Sequence, residues 1–556
     1  MFPYLNQLDI TLTLNTDGVE IFETSNKSFW PVFLTINEIP YPERFSLKYM
    51  VMAGVFYGSK KFFSFQNILK IIFDKQLYIF RSEIRLNEYN VRIYIIGIVA
   101  DKPARSSILC HGSHNCAFGC IYCLSESTSR ICEDGRRHVY YPFSDCEDLM
   151  RKDDVAPLVS AVSVETNDQV YGVNGSSYLF NFPEFRSISG SAFDMMHTLD
   201  LGVTKKLIEI VFSAGYSARQ FSQNAKLDEL NLAIKHIRPP QGIVNRIRPL
   251  SSINNWRAHE FKAFMTYYGP ALIDRFAPTE ISYLFKLLSE IYFKSNSEFI
   301  YDVDIHRLKW CISEFLDKFS AIFGEYMVTI NFHELVHIPF CILNHGPLYN
   351  LSTYGYENFN RIVGNMIHGS QRVDKEIVKK FESLFKSLRG FVHEDDFDQA
   401  STLLVDTVKH VKVKFSLGDD LGVCGVPRKA TQEHIFQFFP DVNADVFEFS
   451  RLKRKNNVIC TMNYDENYSF CNSLVYNKSE DSCMEIENLF FHKYEDHFKI
   501  FAKGIRYTAQ QKYSNVFSKI GTPISNSIVE NVEEWELVCK LPDGLFSIPP
   551  NTKERL

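Results

Sequence analysis

Two histidines one helical turn apart flank a glutamate in HELVH, His333 to His337. On a helix this H-E-x-x-H spacing puts both imidazoles on one face. There they can hold zinc while the glutamate serves as general base of a metalloprotease. Such a site needs a third ligand, and Glu357 follows His337 by 357 − 337 = 20 residues. The cysteines offer the histidines a different task. Cys120 and Cys123 form a CxxC in HNCAFGCIYC, with Cys116 nearby. Together with His333 and His337 they complete a Cys₂His₂ tetrahedron, a closed structural zinc site with no position left for water. In that arrangement Glu334 has no catalytic work and is expected as an ordinary exposed helix residue. The protease stays as a distant alternative, and a pair of buried thiols is the plain alternative for the CxxC.

Two aspartates end strand-like runs. Asp17 follows LDITLTLNT (8–16), which alternates apolar and polar residues, and Asp101 follows the apolar NVRIYIIGIVA (90–100). Either alone can be a turn former. As a pair at one sheet edge they could bind Mg²⁺ or Mn²⁺, hard cations that prefer oxygen ligands. Two such ions about 4 Å apart clamp the attacking and leaving oxygens of a phosphoryl transfer. A third acid from a later helix completes a ribonuclease-H-like site, and Glu357 opens the helical segment 358–392. Glu357 thus has two competing roles, zinc ligand or third acid.

The elements that must position these groups follow from periodicity. SFWPVFLTIN (28–37) reads as a second strand, while 46–80 reads as mostly helical. From Asp194 to about residue 330 apolar residues recur at three and four, the helical period. Residues 358–392 predict a helix and a second one after it. Beyond about 400 short strand-like runs take over, among them VKVKF, NVICTMNY and SLVYN. The predicted fold is mixed α/β. A ribonuclease-H-like core (1–125 and 329–398) is interrupted by a mainly helical insertion (126–328) and followed by a small β-rich domain (399–556).

The chain has 556 residues, 45% hydrophobic and 23% charged, enough for several cores. No apolar run approaches the roughly 20 residues of a membrane span, and MFPYLNQLDI lacks the pattern of a signal peptide. The 13 cysteines are therefore expected as thiols or metal ligands rather than disulfides. Net charge is −6, so any contact with nucleic acid must rest on local basic patches.

Six blocks in order resemble the catalytic region of CACTA (En/Spm-like) transposases, of the DDE/D group. They are NTDGVEIF with FWPVFLTINEIP and a following Arg (15–44), IVADKPARSSIL (98–109), HNCAFGCIYC (114–123), FDMMHTLDLGVTKKLI (193–208), NWRAHEFKAFMTYYGP (255–270), and TINFHELVHIP with NHGPLYNLSTYGYENFN (329–360). The resemblance covers roughly residues 10–395. It implies Asp17, Asp101 and Glu357 as the Mg²⁺- or Mn²⁺-binding catalytic triad, and Cys120, Cys123, His333 and His337 as structural zinc ligands. A CxxC shortly after the second acid and a histidine pair shortly before the third also occur in Transib transposases and the V(D)J recombinase catalytic subunit. Family members carry a long N-terminal region for binding element ends, whereas 16 residues precede Asp17 here. A truncated or domesticated copy is the expectation that follows.

Asp194 and His197 form the family's D-x-x-H block and also suit an ordinary helix start, with the aspartate capping. Trp256 is either a core residue or a platform for an extruded base. The best candidate for phosphate contacts is 234–262, with Lys235, Arg238, Arg246, Arg248, Arg257 and Lys262 against one acid, Glu260. RLKRK (451–455) has the composition of a nuclear import signal. The expected function is metal-dependent DNA cleavage and strand transfer in the nucleus, acting on transposon ends and target DNA, with a homo-oligomer possible and no membrane partner. The alternative is a transposase-derived DNA- or protein-binding factor that does no catalysis.

Overall fold

The computed structural model describes residues 7–547 except 19–26, 214–221, 240–246, most of 366–414 and several shorter loops. The chain divides into two compact units, Met1–Val203 with Glu298–Ser401, and Thr204–Ser297 with Thr402–Leu556.

The first unit is built on a five-stranded sheet. Its strands are β1 (Gln7–Thr16), β2 (Lys27–Ile36), β3 (Val51–Ser59), β4 (Ile84–Leu86) and β5 (Tyr89–Val99), in the order β3-β2-β1-β5-β4. β1, β2 and β3 form an antiparallel meander, while β5 runs parallel to β1. Residues 46–58 are predicted helical, and the structure corrects this: Val51–Ser59 is a strand. Pairing with β2 on its one inner edge, from Lys27 opposite Ser59 to Leu34 opposite Val51, holds it extended. Gly54 and Gly58 also weaken a helix there. The helix expected next is present as Phe65–Phe73.

The register decides where the acids emerge. Asn15 pairs with Val99 in the parallel β1–β5 ladder, and its side-chain amide donates to the Val99 carbonyl at 2.7 Å. Asp17 and Asp101 each lie two residues past that pair, so neighbouring parallel strands release them at one edge. A third segment joins alongside. Ser191 bridges Ile98 in parallel, with Ile98 N–H donating to Gly190 O at 2.8 Å and Ala192 N–H to Ile98 O at 2.9 Å. Asp194 lies three residues past Ser191, as Asp101 lies three past Ile98. The carboxyl ends of parallel strands are the usual place for ligand sites in α/β sheets.

The helix Tyr354–Asn365 lies on this sheet. Tyr356, Phe359 and Val363 recur at helical spacing and pack with Phe29, Phe33, Met50 and Val99. Each buried aromatic contributes roughly 1.5–3 kcal/mol. The Tyr356 hydroxyl meets Thr35 Oγ1 at 2.6 Å. A Cβ at Gly355 would lie 2.3 Å from the Phe45 ring, so only glycine lets the helix come this close. Together these contacts fix the rotation of the helix and hence the direction of Glu357. Of the helix predicted after it, residues 375, 376, 379 and 380 are helical and the rest lies outside the described residues, as does Arg246.

The helix Asp302–Phe323 also belongs to the first unit. Phe319 stacks on Phe332 with ring centres 4.2 Å apart, seating the segment that carries HELVH.

The second unit combines helices such as Thr279–Ser295 with antiparallel sheets from the C-terminal part. Its longest strands are Ser482–Tyr494, His497–Tyr513 and Val516–Glu530, paired in sequence. The expected β-rich C-terminal region is thus present. Arg451–Arg454, most of the RLKRK run, is a strand paired on both sides with Leu452 buried. No helix among the described residues is long and apolar enough to cross a membrane.

Candidate metal centres

Cys120, Cys123, His333 and His337 come together, with their ligand atoms all within 4.8 Å of one another. Cys120 Sγ is 3.4 Å from His337 Nε2, and Cys123 Sγ is 3.3 Å from His333 Nε2. A tetrahedral zinc with ordinary Zn–S and Zn–N bonds separates its ligands by about 3.5 Å. All four residues are buried. Burial opposes charge on Cys120, yet a hydrogen bond with Cys123 and the neighbouring His333 hold its thiol well below the usual value. The two thiols and two imidazoles therefore fit a zinc ion in geometry, and Cys120 is held toward the thiolate that such a ligand needs.

The loop that carries the CxxC is held from behind. Arg151 Nε donates to the carbonyls of Cys120 and Cys123 at 3.1 and 3.0 Å, and Tyr141 stacks on His333 with ring centres 4.8 Å apart. A third thiol, Cys146, shares Ser125 Oγ with Cys123, at 3.1 and 3.3 Å.

Glu334 departs from expectation. It is not an exposed helix residue but 1% exposed. Its carboxylate receives Arg105 Nη2 at 2.7 Å and Lys102 Nζ at 2.8 Å. Burial favours its neutral form, but Arg105 and Lys102 outweigh burial and hold the carboxyl down at about 2. Both cations come from DKPAR, immediately after Asp101. The segment of His333 and His337 thus meets the CxxC loop through the Cys–His cluster and the helix after Asp101 through this buried triad. With its two oxygens engaged by cations, Glu334 is no general base.

Asp101 caps the helix Lys102–Leu109, its Oδ1 accepting from Ala104 N–H at 2.8 Å. The turn-forming and metal-binding readings are therefore compatible, because the cap uses one oxygen and leaves the other. Gly18, after Asp17, passes so close to Trp30 that a Cβ would lie 2.6 Å from the indole.

Asp17 acts on both Glu357 and Asp101. Burial and then a hydrogen bond with Asp17 push the Glu357 carboxyl up to about 8. Burial and Asp17 also raise Asp101, against the lowering effect of its cap. Carboxyl groups gathered without a cation retain a proton, and a divalent cation would take its place. Glu357 therefore faces Asp17 rather than the zinc histidines. His197 belongs to the same cluster, with Nδ1 2.6 Å from Asp194 Oδ2, and Thr353 Oγ1 donates to Asp194 Oδ1 at 2.7 Å. Burial opposes charge on His197, but Asp194, with Asp101 and Asp17 behind it, raises the imidazole to about 9. His197 lies within the wide helical turns Met195–Thr204, and such π-type turns are frequent at functional sites.

The Glu357 proton has a measurable consequence. Its folded value of about 8 lies above the ordinary 4.5, so the folded state binds the extra proton across that interval. Stability then falls as pH rises through it. Without added Mg²⁺ or Mn²⁺, wild-type Tm is expected to fall more steeply from pH 5 to 8 than that of Glu357→Gln. Added Mn²⁺ at pH 8 should raise the wild-type Tm and leave that of the variant nearly unmoved. Superimposable profiles would show that no such proton is held.

The basic segment lies in the second unit and is partly committed to that unit's own structure. Arg248 forms an ion pair with the buried Glu260, and Arg238 donates to the Asp465 carbonyl. Trp256 is 6% exposed, packs on Phe261, and donates from Nε1 to Pro249 O at 3.2 Å, so it is a core residue and no stacking platform. Lys235 and Arg257 are exposed, and Lys262 is half-buried.

A family model described as "Protein of unknown function (DUF1258)" matches residues 4–144. The matched span contains Asp17, Asp101, Cys120 and Cys123. No curated protein matches the chain.

Proposed function

We propose that this chain is a DDE/D-type, transposase-like enzyme that cuts DNA and joins strands, built on a ribonuclease-H-like core. The observation that carries the reading is that Asp17, released at the same sheet edge as Asp101, acts on the carboxyl groups of both Asp101 and Glu357, although Glu357 stands 357 − 101 = 256 residues beyond Asp101. Supporting it are the sheet order β3-β2-β1-β5-β4 with β1 parallel to β5, and the parallel bridge at Ser191.

Asp17, Asp101 and Glu357 would hold Mg²⁺ or Mn²⁺, and Cys120, Cys123, His333 and His337 a structural zinc. The catalytic cations would supply charge for the phosphoryl oxygens and acidify an attacking water or 3′-hydroxyl. The chain's own residues provide the positioning. Asp101 is fixed by its helix cap, Glu357 by Tyr356 and Phe359 packed on the sheet, and His197 by Asp194. A charged His197 beside the acids offers an N–H to a phosphate oxygen and relieves repulsion among the carboxylates. A zinc on the four ligands would tie the CxxC loop to the segment leading to Glu357, and the Arg105–Glu334–Lys102 cluster ties that segment to the helix after Asp101.

Mn²⁺-dependent nicking of supercoiled plasmid tests the reading. Asp101→Asn preserves the cap to Ala104, since asparagine caps helices as well as aspartate does. It is therefore expected to fold normally and lose nicking by about 10²-fold or more, the loss of a few kcal/mol of transition-state stabilisation. Equal nicking by wild type and Asp101→Asn would reject the assignment and favour a non-catalytic binding protein.

A further inference from the structure

Beside the acid cluster lies an open pocket of about 470 Å³, with Asp101 and His197 in its wall. We infer that it holds one unpaired nucleotide of the DNA strand next to the cleaved bond, with the adjoining phosphate on Arg137. This rests on the DNA-cutting reading and adds to it the place where the strand is gripped.

Three features carry the inference. The first is composition. Asp101 is the single acid among the lining residues, and the rest of the polar lining includes the N–H donors Arg137, His114, Asn115 and Asn331. In a chain of net charge −6, a donor-rich recess against a carboxylate centre is a local exception. Guanidinium and imidazole donors suit phosphate oxygens, while carboxamides suit sugar and base edges. The second is size. The volume falls within the roughly 300–1,000 Å³ typical of small-ligand pockets, enough for a nucleotide and too small for a duplex. Pro103, Val139 and Ile330 give it an apolar side for the face of a base.

The third feature is rigidity. The hairpin strand Arg137–Tyr140 is pinned by His138 Nε2 to Tyr326 O at 2.8 Å and by Tyr141 N–H to Val328 O at 2.8 Å. On the partner strand, the Arg130 guanidinium sits 3.4 Å over the Tyr326 ring. Asn331 rests against Gly202, where a Cβ would come within 2.6 Å of it. His114 and Asn331 lie a few residues before the zinc ligands Cys120 and His333. The pocket is thus formed by pieces that the zinc site already fixes.

Anisotropy of a fluorescein-labelled single-stranded DNA oligonucleotide, read in Ca²⁺ without turnover, tests the proposal on the full chain. Arg137→Glu is expected to weaken binding roughly tenfold and lower the salt slope by about one phosphate contact. Asn331→Ala should weaken single-stranded DNA more than duplex of the same sequence. Unaltered melting curves would show that both variants fold. If both bind like wild type while wild type still nicks plasmid, the pocket assignment falls and the cleavage reading stands. If wild type neither binds the oligonucleotide nor nicks, both fall. Tighter binding of RNA of the same sequence would overturn the assignment to DNA.

Discussion

Protein purified without chelator is expected to carry about one zinc ion per chain, and to lose its folded first unit when that ion is removed. Structural zinc in small domains contributes an apparent 10–16 kcal/mol, comparable with the whole stability of an ordinary domain. Here the four ligands are buried and arrive from segments 217 and 210 residues apart. Without the ion, two thiols and two imidazoles would share a closed interior chiefly with one another and the Ser125 hydroxyl. Metal analysis of wild type and of Cys120→Ala/Cys123→Ala, with thermal melting before and after chelation, reads this directly. Folded wild type without zinc, or a double variant that retains it, would disprove the site.

Glu334→Gln is the second large effect. A residue that resembles a protease general base by its spacing is here the shared anion of Arg105 and Lys102, at 2.7 and 2.8 Å. Removing its charge leaves a guanidinium that is 2% exposed without a counterion. Breaking a buried pair on one side costs about 3–5 kcal/mol. The midpoint of chemical denaturation should fall accordingly, and nicking should fall with it even at temperatures where the variant is folded, because Asp101 begins the helix that carries both cations. Lys102→Met/Arg105→Met/Glu334→Leu, which removes all three charges of the cluster, should recover part of the stability. A change below about 1 kcal/mol in Glu334→Gln would mean that the pair is not closed as described.

These two effects mark what the sequence could and could not disclose. Alternation in LDITLTLNT and the apolar run NVRIYIIGIVA were enough to place β1 and β5, and the Cys–His spacings were enough to nominate four residues that do converge. Val51–Ser59 was misread because its small and aromatic residues lack a clean two-residue alternation. The strand is decided by pairing with β2, a long-range contact that local propensity does not contain. Glu334 was misread for a similar reason, since its partner Arg105 lies 229 residues away. The signal that could have found it was the Lys and Arg three apart in DKPAR, on one face of a short helix whose cap is Asp101. Counting cations in 234–262 likewise concealed that Arg248 is already neutralised by Glu260. Charge composition records supply and says nothing of commitment.

The separation between the cysteines and the histidines also has a meaning in time. A ribosome adding about 5–20 residues each second needs roughly 10–40 s to pass from Cys120 to His337, an interval of 217 residues. Throughout it the emerging chain carries a finished CxxC with neither histidine to complete its site. The nascent polypeptide is therefore most exposed to oxidation and to capture of the wrong metal before its last ligands are made. A transcript that ends upstream of residue 333 would leave its product in that condition permanently.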